Sequence, residues 1–301
     1  MTGSTELPYG IPPPAYRLPD GTHVGAVHLL VSDLSRSMAY YEQVIGLRAH
    51  SVTDDSAILR PRDDDRTLVT LQTRPGVTRA RRGAFGLFHF AILLPDLAHL
   101  GQFATHVASL EIEAGMADHL VSRSFYLTDP DGLGIEVYAD RSPDTWRHHG
   151  RELAMTTDPL DVRAVIAAAG GKPWAGAPPG TTMGHVHLHV GSLVTAEAFY
   201  HRALGLDKTV WNYPGALFMA ASGYHHHLGT NIWSPGPAPS ADQARLLEWE
   251  LVLPSDADVA EAARSIRAAG HNVETSPNGL SAADAWGTRV RLRTALEDAA
   301  D

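Results

Sequence analysis

The chain has 301 residues, 44 % of them hydrophobic, which is enough for two domains with cores of their own. A formal net charge of −10 argues against nucleic acid or an anionic membrane surface as partner. With no cysteine, the chain excludes disulfides, thiolate catalysis, zinc fingers and cysteine-ligated iron–sulfur clusters, so any metal must sit on His, Asp, Glu, Asn, Gln or Tyr. No apolar run approaches the ~20 residues that span a bilayer. The stretch MTGSTELPYGIPPPAYRLPDG has neither the basic segment nor the apolar core of a signal peptide, and the expected location is the cytoplasm.

In chain order, residues 1–21 read as an N-terminal extension. A first domain (22–140) follows, then a linker (141–183), a second domain (184–295) and a tail (296–301). VHLLVSDLSRSMAYYEQVIGL at 27–47 is strand, then helix, with Asp33 or Ser35 as N-cap and Gly46 as left-handed stop. FHFAILLPDLAHLGQFATHVASL at 88–110 is again strand then amphipathic helix. VSRSFYLTDPDGLGIEVYAD (121–140) is a hairpin turning at Asp129-Pro130-Asp131-Gly132. The linker carries one short helix, Asp161–Ala169, and ends in Pro/Gly composition.

The second half repeats the first at an offset of 159 residues. VHLHVGSLVTAEAFYHRALGL (186–206) matches 27–47, so that Tyr41 falls on Tyr200 and Gly46 on Gly205, with Ser192 or Thr195 as cap. EWELVLPSDADVAEAARSIRAAG (248–270) matches 88–110. Two or three short strands follow each helix. The chain is therefore α+β, built of four βαβββ modules at about 25–75, 85–140, 184–235 and 245–295. Within the third module SGYHHHLGTN (222–231) places three histidines together. On a strand, His225 and His227 would face one side and His226 the other. By themselves they read as a hydrogen-bonded cluster, as metal ligands or as proton shuttles.

Four such modules, with Phe199-Tyr200 in a helix and GLGIE on a last strand, resemble the vicinal-oxygen-chelate superfamily. That superfamily includes glyoxalase I, bleomycin-resistance proteins and type I extradiol dioxygenases. The resemblance covers about 25–295 and implies two half-open barrels whose first and last strands carry metal ligands. A ligand is expected fourteen residues before the first aromatic of the helix pair. From Phe199 this is His185; from Tyr40 it is Ala26. LFHFAILLPD implies a second ligand at His89, and GLGIEVY a third at Glu136. The matching positions of module 4 are Glu248 and Arg291, and an arginine cannot ligate a cation. The set therefore falls in modules 2 and 3, which implies crossed pairing: module 2 with 3, and module 1 with 4. The rival is sequential pairing, with His28 in place of His185. His187 reads as a core histidine or one behind the ligands.

The resemblance also implies roles beside the metal. GYHHHLG aligns His226 with the acid/base histidine of extradiol enzymes, and DHLVSRSFYL aligns His119 and Tyr126 with groups near the ring hydroxyls. His119 stands seven residues before Tyr126, where the family has nine. Asn231 and Trp233 are placed near the pocket by position alone. Two imidazoles and one carboxylate form the facial triad of non-haem iron. The resemblance thus implies an extradiol dioxygenase that uses Fe(II), or Mn(II), to cleave a catechol with O2. The alternatives are a glyoxalase-type isomerase or lyase and a non-enzymatic antibiotic-binding protein. The oligomeric state is left open.

Overall fold

The computed structural model describes residues 9–276 and 279–295. The expected tail at 296–301 and the first eight residues of the N-terminal extension lie outside them.

Each module folds as one strand, one helix and three strands. Module 1 has strands His23–Leu30, Arg48–Val52, Ser56–Arg60 and Val69–Gln72; module 2 has Gly86–Leu93, Gly115–Asp118, Ser122–Thr128 and Gly134–Asp140. Module 3 has Thr182–His189, Asp207–Val210, Ala216–Ala220 and Leu228–Asn231; module 4 has Arg245–Leu253, Glu274–Ser276, Gly279–Ala283 and Arg289–Thr294. Local chemistry starts the helices. The side chains of Asp33, Asp96, Ser192 and Ser255 each accept a hydrogen bond from the backbone N–H three residues on. Of the two cap candidates at each site, Asp33 and Ser192 do the work. The helices of modules 1 and 3 widen into π-turns at Tyr41–Ile45 and Glu197–Ala203, which the 3.6-residue pattern did not announce. Gly46 (φ +81°) takes the left-handed stop that a residue with a Cβ resists. The linker helix runs Val162–Ala168 with Asp161 as its cap, and a two-residue hairpin, His148–His149 with Glu152–Leu153, precedes it unanticipated.

The strands form two eight-stranded sheets. One joins module 4 to module 1 through the antiparallel pair Arg245–Leu253 and His23–Leu30; the other joins module 3 to module 2 through Thr182–His189 and Gly86–Leu93. Each sheet thus draws one module from each half of the chain. The four first strands alternate over their central residues, and register shifts interrupt their pairing on either side. Val27, Leu29, Phe90, Ile92, Val186, Leu188, Trp249 and Leu251 are fully buried in one continuous core. The intervening positions, including Ala26, His28, His89, His185, His187, Glu248 and Glu250, face the opposite side. Two equivalent ties hold the sheets together: Tyr41 Oη donates to Asp129 Oδ2 (3.1 Å) and Tyr200 Oη to Asp284 Oδ2 (2.9 Å).

Candidate metal centre

The seam of the second sheet builds the centre. Antiparallel pairing sets His187 opposite His89, and a register shift between Met183 and His185 re-aims His185 towards the same point. The next strand runs parallel to Gly86–Leu93 and sets Glu136 beside Ala91. His89 Nε2 and His185 Nε2 each stand 3.0 Å from Glu136 Oε2. Ligand atoms of the three residues lie within 4.8 Å of one another, and all three side chains are buried. The structure therefore brings His89, Glu136 and His185 together.

The polar accounting at this point favours a cation. His89 Nε2, though 3.0 Å from the carboxylate, makes no hydrogen bond to it and is buried without another partner. Such groups cost free energy unless something fills their coordination. Burial works to raise the Glu136 carboxyl, but His185 and His89 prevail and hold it well below the usual carboxylate range. Burial pushes His185 down to about 4. A neutral imidazole and an ionised carboxylate are the protonation states that ligation requires. The donor set fits a divalent first-row ion.

His187 is closed to that role. Asn231 Nδ2 donates to its Nε2 (2.9 Å), while Asn231 Oδ1 accepts from His189 Nδ1 (2.7 Å) and from the Trp233 N–H (3.1 Å). Asn231 therefore lies behind the wall, ordering histidines, and does not line the cavity as its position suggested. His28, the rival ligand, lies in the other sheet, where its Nε2 is 2.8 Å from Glu250 Oε1.

A cavity of about 400 Å³ opens over the centre. Phe88, Phe218, Tyr213 and Trp233 supply apolar walls, and His119, Tyr126 and His226 line it with polar groups. His119 Nδ1 donates to the Thr156 carbonyl (2.6 Å), which leaves its Nε2 to accept from Tyr126 Oη (2.5 Å). The seven-residue spacing therefore still lets the two meet. Burial, and then the Glu136 charge, push the Tyr126 phenol well up, so it stays a donor.

The triple histidine departs from expectation. It does not alternate on a strand, because Ser222 (φ +56°) and Gly223 (φ +69°) turn the chain and the strand begins only at Leu228. His227 already joins the ladder, accepting from Val186 N (3.1 Å) and donating to Met219 O (2.9 Å). His225 and His226 precede the ladder and point towards each other, Nδ1 to Nδ1 at 2.7 Å. His226 lies 4.0 Å ring to ring from His185 and faces the cavity; His225 turns to Asp140. Burial, then the neighbouring His185 and His225, push His226 well down, so its imidazole is neutral. Trp233 lines the cavity as its position suggested, but the other aromatic walls, Phe88, Tyr213 and Phe218, and the linker residues Met155, Thr156 and Thr157 were missed in the sequence, since nothing local marks a loop that folds back over a distant sheet.

A family model described as Glyoxalase/Bleomycin resistance protein/Dioxygenase superfamily matches residues 23–137. The catechol-2,3-dioxygenase of Bacillus subtilis (strain 168) is 40 % identical over 271 residues, covering 88 % of this chain and 94 % of that protein. In fold the chain is similar to a protein of Bacillus subtilis subsp. subtilis str. 168 assigned as a dioxygenase, with TM-score 0.64 and 13 % identity over 90 % of this chain and 84 % of the other. It is also similar to glyoxalase I from Zea mays, with TM-score 0.55 and 20 % identity over 91 % and 92 % of the two chains.

Proposed function

The chain belongs to the glyoxalase/bleomycin resistance protein/dioxygenase superfamily, and on that premise we propose that it is an extradiol dioxygenase that opens a catechol ring with O2. The observation that carries this reading is the buried cluster of two imidazoles and one carboxylate under a cavity with aromatic walls. His89, Glu136 and His185 would hold the metal. Fe(II) is the ion this set suits, and Mn(II) the alternative. When bound, the ion supplies a redox-active Lewis acid able to chelate both oxygens of an aromatic diol.

The protein's own groups do the rest. Phe88, Phe218 and Trp233 fix the ring and exclude water. His226 accepts the proton of a diol hydroxyl and returns one as the ring opens. The Tyr126 hydroxyl, its own hydrogen held by His119, accepts a hydrogen bond from the second diol hydroxyl. Both atoms of O2 enter the product, and the ring bond beside the diol breaks to give a muconic semialdehyde. A glyoxalase-type isomerase is disfavoured because the cluster holds one carboxylate and no fourth protein ligand among the described residues. A drug-binding protein would have no need of the cluster. No helix among the described residues is long and apolar enough to cross a membrane, and we place the enzyme in the cytoplasm.

The test is elemental analysis followed by oxygen uptake with catechol under Fe(II). One ion per chain, oxygen consumed mole for mole with catechol and a yellow ring-opened product are expected. Metal binding without oxygen uptake would sink the dioxygenase reading in favour of the isomerase. No metal at all would leave the binding protein.

A further inference from the structure

We propose that Asp140 and His225 are positioning residues that fix the proton of His226 on Nδ1, and so present its Nε2 to the cavity as a bare acceptor. This rests on the reading above, in which His226 faces a diol. The inference follows from hydrogen counting along one buried chain of contacts. His225 is 0 % exposed, and both its nitrogens are engaged. Its Nε2 lies 2.9 Å from Asp140 Oδ1, and its Nδ1 lies 2.7 Å from His226 Nδ1. An ionised carboxylate only accepts, so His225 Nε2 carries a hydrogen. A neutral His225 then has a bare Nδ1. The short contact needs one hydrogen between the two rings, and it must come from His226 Nδ1. A neutral His226 is left with its lone pair on Nε2, the nitrogen across the ring from His225.

The outer end of the chain is pinned. Tyr224 Oη donates to Asp140 Oδ2 (2.9 Å) and meets Tyr138 Oη at 2.6 Å. The Asp140 side chain is 23 % exposed and lines an outer cleft with Arg123, Arg141 and Arg147. The carboxyl end of the series therefore sits at the arginine-lined surface and the imidazole end at the cavity. When a diol O–H bond breaks, its electron pair stays on the oxygen and the proton forms an N–H bond at His226 Nε2. The imidazolium so formed is held, through His225, against the fixed charge of Asp140. A second ring at position 225 is required for this order, which explains why the motif has adjacent histidines where alternation would offer only one.

Two substitutions separate this role from packing. In His225→Gln, the amide oxygen accepts from His226 Nδ1–H while the amide N–H donates to Asp140. In His225→Phe, the ring packing is kept and the acceptor is lost. Histidine ¹⁵N spectra of the full chain loaded with diamagnetic zinc(II) report which nitrogen of His226 is protonated. The expected result is Nδ1–H in the parent and in His225→Gln, and its loss in His225→Phe. With Fe(II), His225→Phe should lose about 10- to 100-fold in kcat with KM for catechol held within about twofold and the ion retained; His225→Gln should recover most of it. An Nε2–H signal for His226 in the parent would overturn the proposal, as would equal kcat in the two variants or loss of metal from both. A parent that shows Nδ1–H but cleaves no catechol would refute the dioxygenase reading and leave the hydrogen order standing.

Discussion

A buried carboxylate with two imidazole nitrogens at 3.0 Å, one of them making no hydrogen bond, has a polar deficit that one divalent ion would remove. Glu136→Gln keeps the shape and deletes the charge. It should abolish tight binding of Fe(II) measured by equilibrium dialysis, together with oxygen uptake. His185→Ala should do the same, whereas His28→Ala should leave the ion in place, because His28 serves Glu250 in the other sheet. Retention of metal by His185→Ala would move the centre elsewhere. His226 calls for a different outcome. As the proposed proton acceptor, packed on His185 but outside the ligand cluster, it would be worth ~10²–10⁴-fold in rate. His226→Phe should keep one ion and bind catechol, yet lose kcat in that range. Loss of the ion would make His226 a ligand instead.

At the scale of elements, the alternation in stretches such as HVHLHV was readable because a strand has period two and one face here is a core. Phe90 and Ile92 against His89 and Ala91, or Val186 and Leu188 against His185 and His187, assign both faces from sequence alone. The helix caps and the hairpin at Asp129–Gly132 were legible for the same reason: each is a local hydrogen-bond problem with few answers. The π-turns, the loop carrying His225 and His226, and the linker over the cavity were not legible, because tertiary packing decides them. Gly229 shows such a non-local demand. It lies opposite His187, and a Cβ there would stand 2.8 Å from the His187 ring. Gly229→Ala must push that ring against Phe88 and Trp233, both in edge or tilted contact with it. The expected cost is ~1–3 kcal/mol, seen as a lower Tm, with a raised KM for catechol and unchanged metal content. An unchanged Tm and KM would mean the ring has room that the packing does not show.

At the scale of the molecule, the pseudo-symmetry of the chain makes two half-barrels and leaves one of them plugged. The side of the first sheet that corresponds to the metal centre holds Glu250, His28, Arg291 and Arg293. Glu250 Oε1 meets His28 Nε2 (2.8 Å), and its Oε2 accepts from Arg293 Nε (2.7 Å) and from Ala26 N (3.0 Å). Glu248 is taken by Arg291. The guanidinium of Arg293 stands where a second ion would need to approach the carboxylate, so elemental analysis should give one equivalent per chain and not two. The sequence showed that this half was degenerate through Arg291 but did not show Glu250, whose partner lies 222 residues away. The plug also predicts an acid dependence. Burial by itself would raise the Glu250 carboxyl, but His28 and Arg293 outweigh it and bring it from 4.5 to about 2. A carboxylate lowered in the folded state adds stability that is complete above the unfolded value and is lost as pH falls through the folded one. This contribution should therefore be full at pH 7 and fade between about pH 4.5 and 2. Glu250→Gln should cost ~3–5 kcal/mol at pH 7, since it removes the buried carboxylate charge that meets Arg293 and His28. Its deficit in Tm should narrow as the pH is lowered through that window, because protonation leaves the parent with the same uncharged carboxyl. A deficit that stays constant from pH 7 to 3 would mean that Glu250 contributes by shape and hydrogen bonding, with its charge irrelevant to how the second half-barrel is closed.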